Sequence, residues 1–477
     1  MLVVAVTVAV TEVLSRVGLG PFGRLFYIGA GVAIAAYYVK RSPWLFLTAT
    51  FWFWTITPLA RRLIDYHAGF DAVNIVLATP NVMSLFMLRD ILFRHELLRL
   101  RAALSGLFLL LPVLYGIAVS FVRGDIVPGA VAAADWVTPL LYYFYLLAQW
   151  QQIQKAEPHF RVFLTLNMIV VAGYGLSQYF GPAPWDAAWV RDAGMQMLGQ
   201  PVPYGLRPFS TLNFPGHLAV WLATLLLFAL HFRTKLMLVL SPAVGALLLL
   251  TLVRGALGIL AVGICSAILF TRAGTLRTVV SAIVLVALVT SSLGTGMFLV
   301  FPEAANRVER RLNSMGHLDE DYSAQERAAI YSTLPAVVDD HPFGLGVGAI
   351  GRGATVSSKA AMVTVDSGPL AIYLTLGWIA GSIYLAGVLA LVVQTVVAAR
   401  SASSQDALVM AAVVVAHATG YAFSNIVGFD GAITWMCAGY ANAVGVAARR
   451  DRALRLAEQS ARQPRPATQP RILSSTA

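Results

Sequence analysis

Arg254 is the most informative residue for chemistry, because it is the one charge between Leu236 and Phe270. At an apolar boundary an arginine either meets water or an anion, or snorkels and marks a helix end. Arg207 lies in Leu206-Arg-Pro-Phe-Ser-Thr-Leu-Asn213, just ahead of another apolar run. Read alone, it is a loop cation that would pair with an acid such as Asp192. Arg327 closes Ser323-Ala-Gln-Glu-Arg. That reads as a helix start, with Ser323 as N-cap and Glu326 completing a capping box. Asp340-His-Pro-Phe-Gly-Leu-Gly-Val-Gly348 follows, with His341 near its head. Glycines at alternate positions either expose N–H groups to an anionic or sugar ligand or make a tight turn between helices. Asp366-Ser-Gly-Pro369 has the chemistry of a helix start, a cap followed by proline in the first turn. A catalytic carboxylate at Asp366 is the sharper alternative.

No metal-ligand spacing, P-loop or dinucleotide fingerprint occurs, and no cofactor is expected. His217, His231, His317, His341 and His417 are scattered. A lone histidine in such settings is usually structural.

The elements that must position these residues are membrane helices. Of 477 residues, 58% are hydrophobic and 12% charged, against roughly 25% charged in soluble domains. Apolar runs of roughly 18 to 25 residues, the length that crosses a bilayer as a helix, recur along most of the chain. No alternating pattern of an outer-membrane barrel is present, so the expected fold is all-α and polytopic. The stretch from Leu236 to Phe270 would reach ~52 Å as one helix at ~1.5 Å per residue. That exceeds a ~30 Å hydrocarbon core, so the chain must turn near Arg254-Gly255. The threading has about fourteen spans, at 2–18, 25–39, 43–60, 73–93, 102–122, 131–149, 160–180, 211–232, 236–253, 255–271, 278–301, 367–397, 405–426 and 430–448. The first is read as a retained span and not a cleaved signal. Cys265 and Cys437 fall inside spans and are expected to be free thiols.

The net charge of +11 does not point to nucleic acid, because the basic residues punctuate the ends of apolar runs. Lys and Arg concentrate in alternate connections: Lys40 and Arg41, Arg94 to Arg101, Lys155 and Arg161, Arg233 and Lys235, Arg272 and Arg277, Arg400, and Arg449 onward. The positive-inside rule makes that face cytoplasmic. The opposite short connections hold fewer basic residues, among them Arg24, Arg61, Arg62 and Arg123. The membrane domain is then 1–448, with segments 181–210 and 302–366 on the periplasmic side of a bacterial inner membrane. Residues 449–477 form a polar cytoplasmic tail, expected to be disordered.

Taken in order, these features resemble the O-antigen ligase and Wzy-type polymerase family. The matching pieces are Arg207-Pro-Phe-Ser-Thr-Leu-Asn213, Thr251-Leu-Val-Arg-Gly-Ala256, Arg327-Ala-Ala-Ile-Tyr331, His341-Pro-Phe-Gly-Leu-Gly346 and Leu376-Gly-Trp-Ile-Ala-Gly381, the last with one extra residue. They span roughly residues 200 to 385, and the ordered set carries the resemblance more than any one piece. Ligases of the family carry His-Asn where this chain has Asp366-Ser367, which favours a polymerase. The resemblance implies a GT-C-like membrane glycosyltransferase working without a metal. Its donor would be a glycan on undecaprenyl pyrophosphate, and its acceptor a sugar hydroxyl of a second lipid-linked repeat. Membrane lipid and a chain-length regulator would be further partners. Arg207, Arg254 and Arg327 would bind the pyrophosphate. Asp366, with Glu326 and His341 behind it, would take the acceptor proton. A ligase acting on a non-prenyl acceptor, and a transporter or flippase, are the competing readings.

Overall fold

A computed structural model of the chain describes residues 1–94, 100–270, 280, 283–284, 332, 336, 338–356, 365, 367–422 and 424–462. Among them the chain is helical, with no β-strand. The helices are α1 (Leu2–Arg16), α2 (Gly20–Val39), α3 (Pro43–Ala68), α4 (Thr79–Leu85), α5 (Met87–Phe93), α6 (Arg101–Val122), α7 (Ile126–Ala148) and α8 (Glu157–Phe180). They continue with α9 (Pro184–Asp192), α10 (Pro215–Phe232), α11 (Lys235–Leu250), α12 (Arg254–Phe270), α13 (Gly368–Ala402), α14 (Gln405–Gly420) and α15 (Gly428–Arg462). Hydroxyl caps and prolines set several starts. Ser42, Thr234, Ser367 and Ser404 each accept a backbone N–H of the first turn. Proline follows directly at Pro43 and in the first turn at Pro369, where its missing N–H costs nothing.

Among the described residues, seven helical stretches are long and apolar enough to cross a membrane: α2, Ile75–Phe93, α6, α7, α8, α10 and α13. The chain is therefore an all-helical integral membrane protein. Helices lie on each apolar stretch read from the sequence except 278–301, most of which is outside the described residues. Three details differ from the sequence reading. The stretch 73–93 is a 3-10 turn at Ile75–Ala78 followed by two short helices, α4 and α5, rather than one rod. The long stretch through Arg254 does break: Thr251–Val253 form the turn, and Arg254 is the first residue of α12. Residues 449–462, assigned to a disordered tail, continue α15, and 449–460 are exposed. Their Ala, Leu, Arg, Glu and Gln are good helix formers, and Arg450 and Arg452 tie that extension to the Trp150 ring and the Ser401 carbonyl.

The connections sort to two ends of an up-and-down bundle. At one end Arg94 donates to the Ala148 carbonyl, Gln149 to Asp90, and His231 meets Asp406. At the other end Arg24 binds Asp65 and Asp71, Arg207 donates to Thr251, and the Gly348 N–H donates to Ser120. The first set joins the connections in which Lys and Arg concentrate. The second joins the remaining connections and is called the site end below. Between them runs an aromatic core in which Tyr142, Tyr143, Tyr145, Trp221 and Trp435 are buried. Several of its polar tips are paired, as a water-poor interior favours: Trp54 Nε1 donates to the Tyr142 hydroxyl and Trp221 Nε1 to Asn167. Cys265 and Cys437 are both free thiols, the first exposed and the second buried.

Candidate functional site

Arg207 and Arg254 come together at one turn of the site end. The Arg207 guanidinium donates from Nε to the Thr251 carbonyl at 3.1 Å and from Nη1 to the Met197 carbonyl at 3.4 Å. Thr251 opens the turn that Arg254 closes, and Leu252 takes a left-handed φ of 57° within it. Both arginines are half-buried.

What holds the Arg207 segment in place is Arg62, read from the sequence as a loop cation. Its side chain is wholly buried and pairs with the equally buried Asp186, Nε to Oδ1 at 2.9 Å. Its other nitrogens donate to the Leu212 carbonyl, the Asn213 side chain and the Ser210 carbonyl. Its guanidinium also stacks over the Phe209 ring at 4.8 Å. Asp186 Oδ2 takes two hydrogen bonds, from the Tyr174 hydroxyl and Gln178, each 2.8 Å. Gln178 in turn accepts the N–H groups of Phe209 and Ser210. Segment 207–213 is thus clamped from both sides. A buried charge of this kind is tolerated only with full pairing.

A second charged centre at the same end joins helices far apart in sequence. Asp135 of α7 accepts both hydrogen bonds from Arg352 Nη1, at 3.0 and 3.3 Å, and a third from Asn81. Asn81 is itself oriented by the Thr138 hydroxyl. His217 in the first turn of α10 places Nδ1 2.8 Å from Asp430 Oδ2 in the first turn of α15. Arg61, at the end of α3, binds Asp65 at 3.1 Å, and Asp65 also takes Arg24 and Asn74. Burial raises the Asp65 pKa and lowers that of Arg61, and their mutual attraction opposes both shifts. Sequence reasoning missed Asp135 and Asp430. The signal was there: each is a solitary carboxylate at or near the start of an apolar run, and an ionisable group at membrane depth is a functional hypothesis by default.

His341 lies elsewhere at this end, half-buried, against α13. Gly377, with φ 73° and ψ −178°, breaks α13. The break leaves helix backbone groups unpaired, and the chain after His341 pairs them. The Leu345 and Gly346 N–H groups donate to Leu374 and Thr375, and the Trp378 N–H donates to the Pro342 carbonyl. The Gly344 N–H donates to His341 and the Gly348 N–H to the Ser120 hydroxyl. A Cβ at Gly344, Gly346 or Gly348 would fall within 2.3 to 2.7 Å of neighbouring atoms. This decides between the two sequence readings. The N–H groups of 344, 345, 346 and 348 are used in packing and are not offered to an anion. His341 shares no described hydrogen bond with the Arg207–Arg254 turn. Glu326, Arg327 and Asp366 lie outside the described residues; Ser367 performs the expected capping of α13.

Compared with known proteins, the chain matches no protein-family model and no curated protein.

Proposed function

We propose that the chain is a bacterial inner-membrane glycosyltransferase. It would be a GT-C-like polysaccharide polymerase of about fourteen spans that transfers a growing glycan from undecaprenyl pyrophosphate to a sugar hydroxyl of another lipid-linked repeat. The observation that carries this reading is the meeting of Arg207 and Arg254 at one turn of the bundle. The end they occupy is opposite the face where Lys and Arg concentrate, so the positive-inside rule makes it periplasmic. A leaving diphosphate concentrates negative charge. Guanidinium groups stay charged and bind phosphate in a fork, and held rigidly they stabilise the charge that develops as the glycosidic bond breaks. The Arg62–Asp186 clamp supplies that rigidity for the Arg207 segment. Arg327 is the third arginine proposed for this role.

The test replaces Arg254 with Ala and compares polysaccharide length on gels at equal membrane level. Loss of long chains, with single lipid-linked repeats accumulating, supports the polymerase. Unchanged chains reduce Arg254 to a helix-end marker.

A proton-coupled transporter is the second reading, favoured by the pairs Asp135–Arg352 and His217–Asp430 between apolar helices. Relays of such groups are common in transporters. It predicts substrate movement into vesicles with no new glycosidic bond.

A further inference from the structure

We propose that His217, held by Asp430, is the general base that removes the acceptor hydroxyl proton. The proposal rests on the glycosyl-transfer reading above and assigns a role that reading left open. Three observations carry it.

The first is geometry. The Asp430 carboxylate sits 2.8 Å from Nδ1. A carboxylate there fixes the proton on Nδ1 and leaves the Nε2 lone pair free to accept another. Among the described residues Nε2 takes no hydrogen bond, while the His217 side chain is 48% exposed and that of Asp430 only 12%. Asp430 Oδ1 is buried and, among the described residues, has no hydrogen-bond partner, so the hydrogen bond of this carboxylate goes to the ring.

The second is contrast with the other histidines. His417 has both ring nitrogens occupied, by the hydroxyls of Thr224 and Thr434. His231 meets Asp406 at the opposite end of the bundle. Among the described residues His341 and His67 have no carboxylate partner. Among the described residues at the site end, His217 alone combines an orienting carboxylate with an unused nitrogen.

The third is placement. His217 follows directly on the segment that Arg62 clamps and that carries Arg207. It stands in the first turn of α10, with its ring on the carboxylate that opens α15. Asp430 then stabilises the imidazolium as it forms.

The step balances. Nε2 accepts the proton of the acceptor hydroxyl, and the oxygen's electron pair forms the new bond to the donor's anomeric carbon. The bond from that carbon to the phosphate oxygen breaks, and its pair departs with undecaprenyl pyrophosphate. The imidazolium returns its proton to water.

The experiment expresses wild type, His217→Gln, His217→Ala, Asp430→Asn and Arg254→Ala in a deletion strain. Chain growth is measured in its membranes with the lipid-linked repeats that strain accumulates. Binding of undecaprenyl pyrophosphate to each purified protein is measured by native mass spectrometry. His217→Gln keeps a donor to Asp430 and so preserves the fold while abolishing the base. The expected result is a loss of about 10²–10⁴-fold in growth for both His217 variants, a smaller loss for Asp430→Asn, and unchanged lipid binding. Added imidazole should partly restore His217→Ala but not Arg254→Ala. Wild-type growth in His217→Gln overturns the base and leaves the polymerase standing. A wild-type protein that neither extends glycans nor binds the lipid overturns both.

Discussion

Arg62 and Asp186 form an ion pair at 2.9 Å with neither side chain exposed to any degree. Removing either partner strands a charge where water cannot reach it. Arg62→Ala should therefore destabilise by ~3–5 kcal/mol, the usual cost of breaking a buried pair. Arg62→Lys should recover only part, because an ammonium cannot bridge Asp186, Asn213 and two carbonyls at once. Arg16 offers the control: it pairs with Glu12 while 59% exposed, and Arg16→Ala should cost at most about 1 kcal/mol. Thermal unfolding of the detergent-solubilised protein, followed by size-exclusion of the fluorescently tagged chain, ranks the three. Equal losses at Arg62 and Arg16 would contradict the clamp.

Asp135 and Arg352 make a different kind of pair. Arg352 is 40% exposed while Asp135 is 12% exposed, so the solvated partner is the arginine. Arg352→Ala should leave the carboxylate short of two hydrogen bonds and cost ~1–3 kcal/mol. Asp135→Asn in the same chain should return part of that loss. A double-mutant cycle reads the coupling directly; a coupling near zero would mean that the two residues do not act together.

The break in α13 tests backbone chemistry. Gly377 has φ 73°, and a Cβ there would lie 2.3 Å from the Pro342 carbonyl oxygen. Gly351 has φ 65° but open space around it. Gly351→Ala should thus cost only the ~1–2 kcal/mol of left-handed strain. Gly377→Ala must also displace the 342–346 segment, and its unfolding temperature should fall further. Comparable shifts for the two variants would refute the close approach.

Orientation is open to labelling. Arg123, at the site end, and Ser401, at the other, are both exposed. In a Cys265→Ser and Cys437→Ser background, Arg123→Cys should react with a membrane-impermeant maleimide added outside the inner membrane. Ser401→Cys should react only after the membrane is opened. The reverse pattern would invert the topology and place the arginine turn in the cytoplasm.

Apolar length, charge at the ends of runs, and cap chemistry are local properties. They are written along the chain wherever it folds. That is why the helices, the turn ahead of Arg254, the Ser367 cap and the two-ended sorting of the connections were legible from residue order. The extension of α15 was not legible because Gln, a mark of a polar tail, is also a good helix former, as are the Ala, Leu, Arg and Glu around it. The arginine turn was half legible: Arg207 and Arg254 stood out as charges, but nothing in the sequence said that Thr251 would join them.

The ion pairs belong to the tertiary structure alone. His217 and Asp430 are 213 positions apart, and Arg352 and Asp135 are 217 apart. Which cation meets which carboxylate depends on which helices lie side by side, and helix packing is a property of whole faces that no short window contains. Arg62 shows the physics most plainly. In the sequence it is indistinguishable from its neighbour Arg61. Both end against a buried carboxylate, Arg61 on Asp65 and Arg62 on Asp186, but only at Arg62 does the folded bundle shut solvent out of the pair completely. That enclosure turns a loop charge into the fixed point around which the site is built.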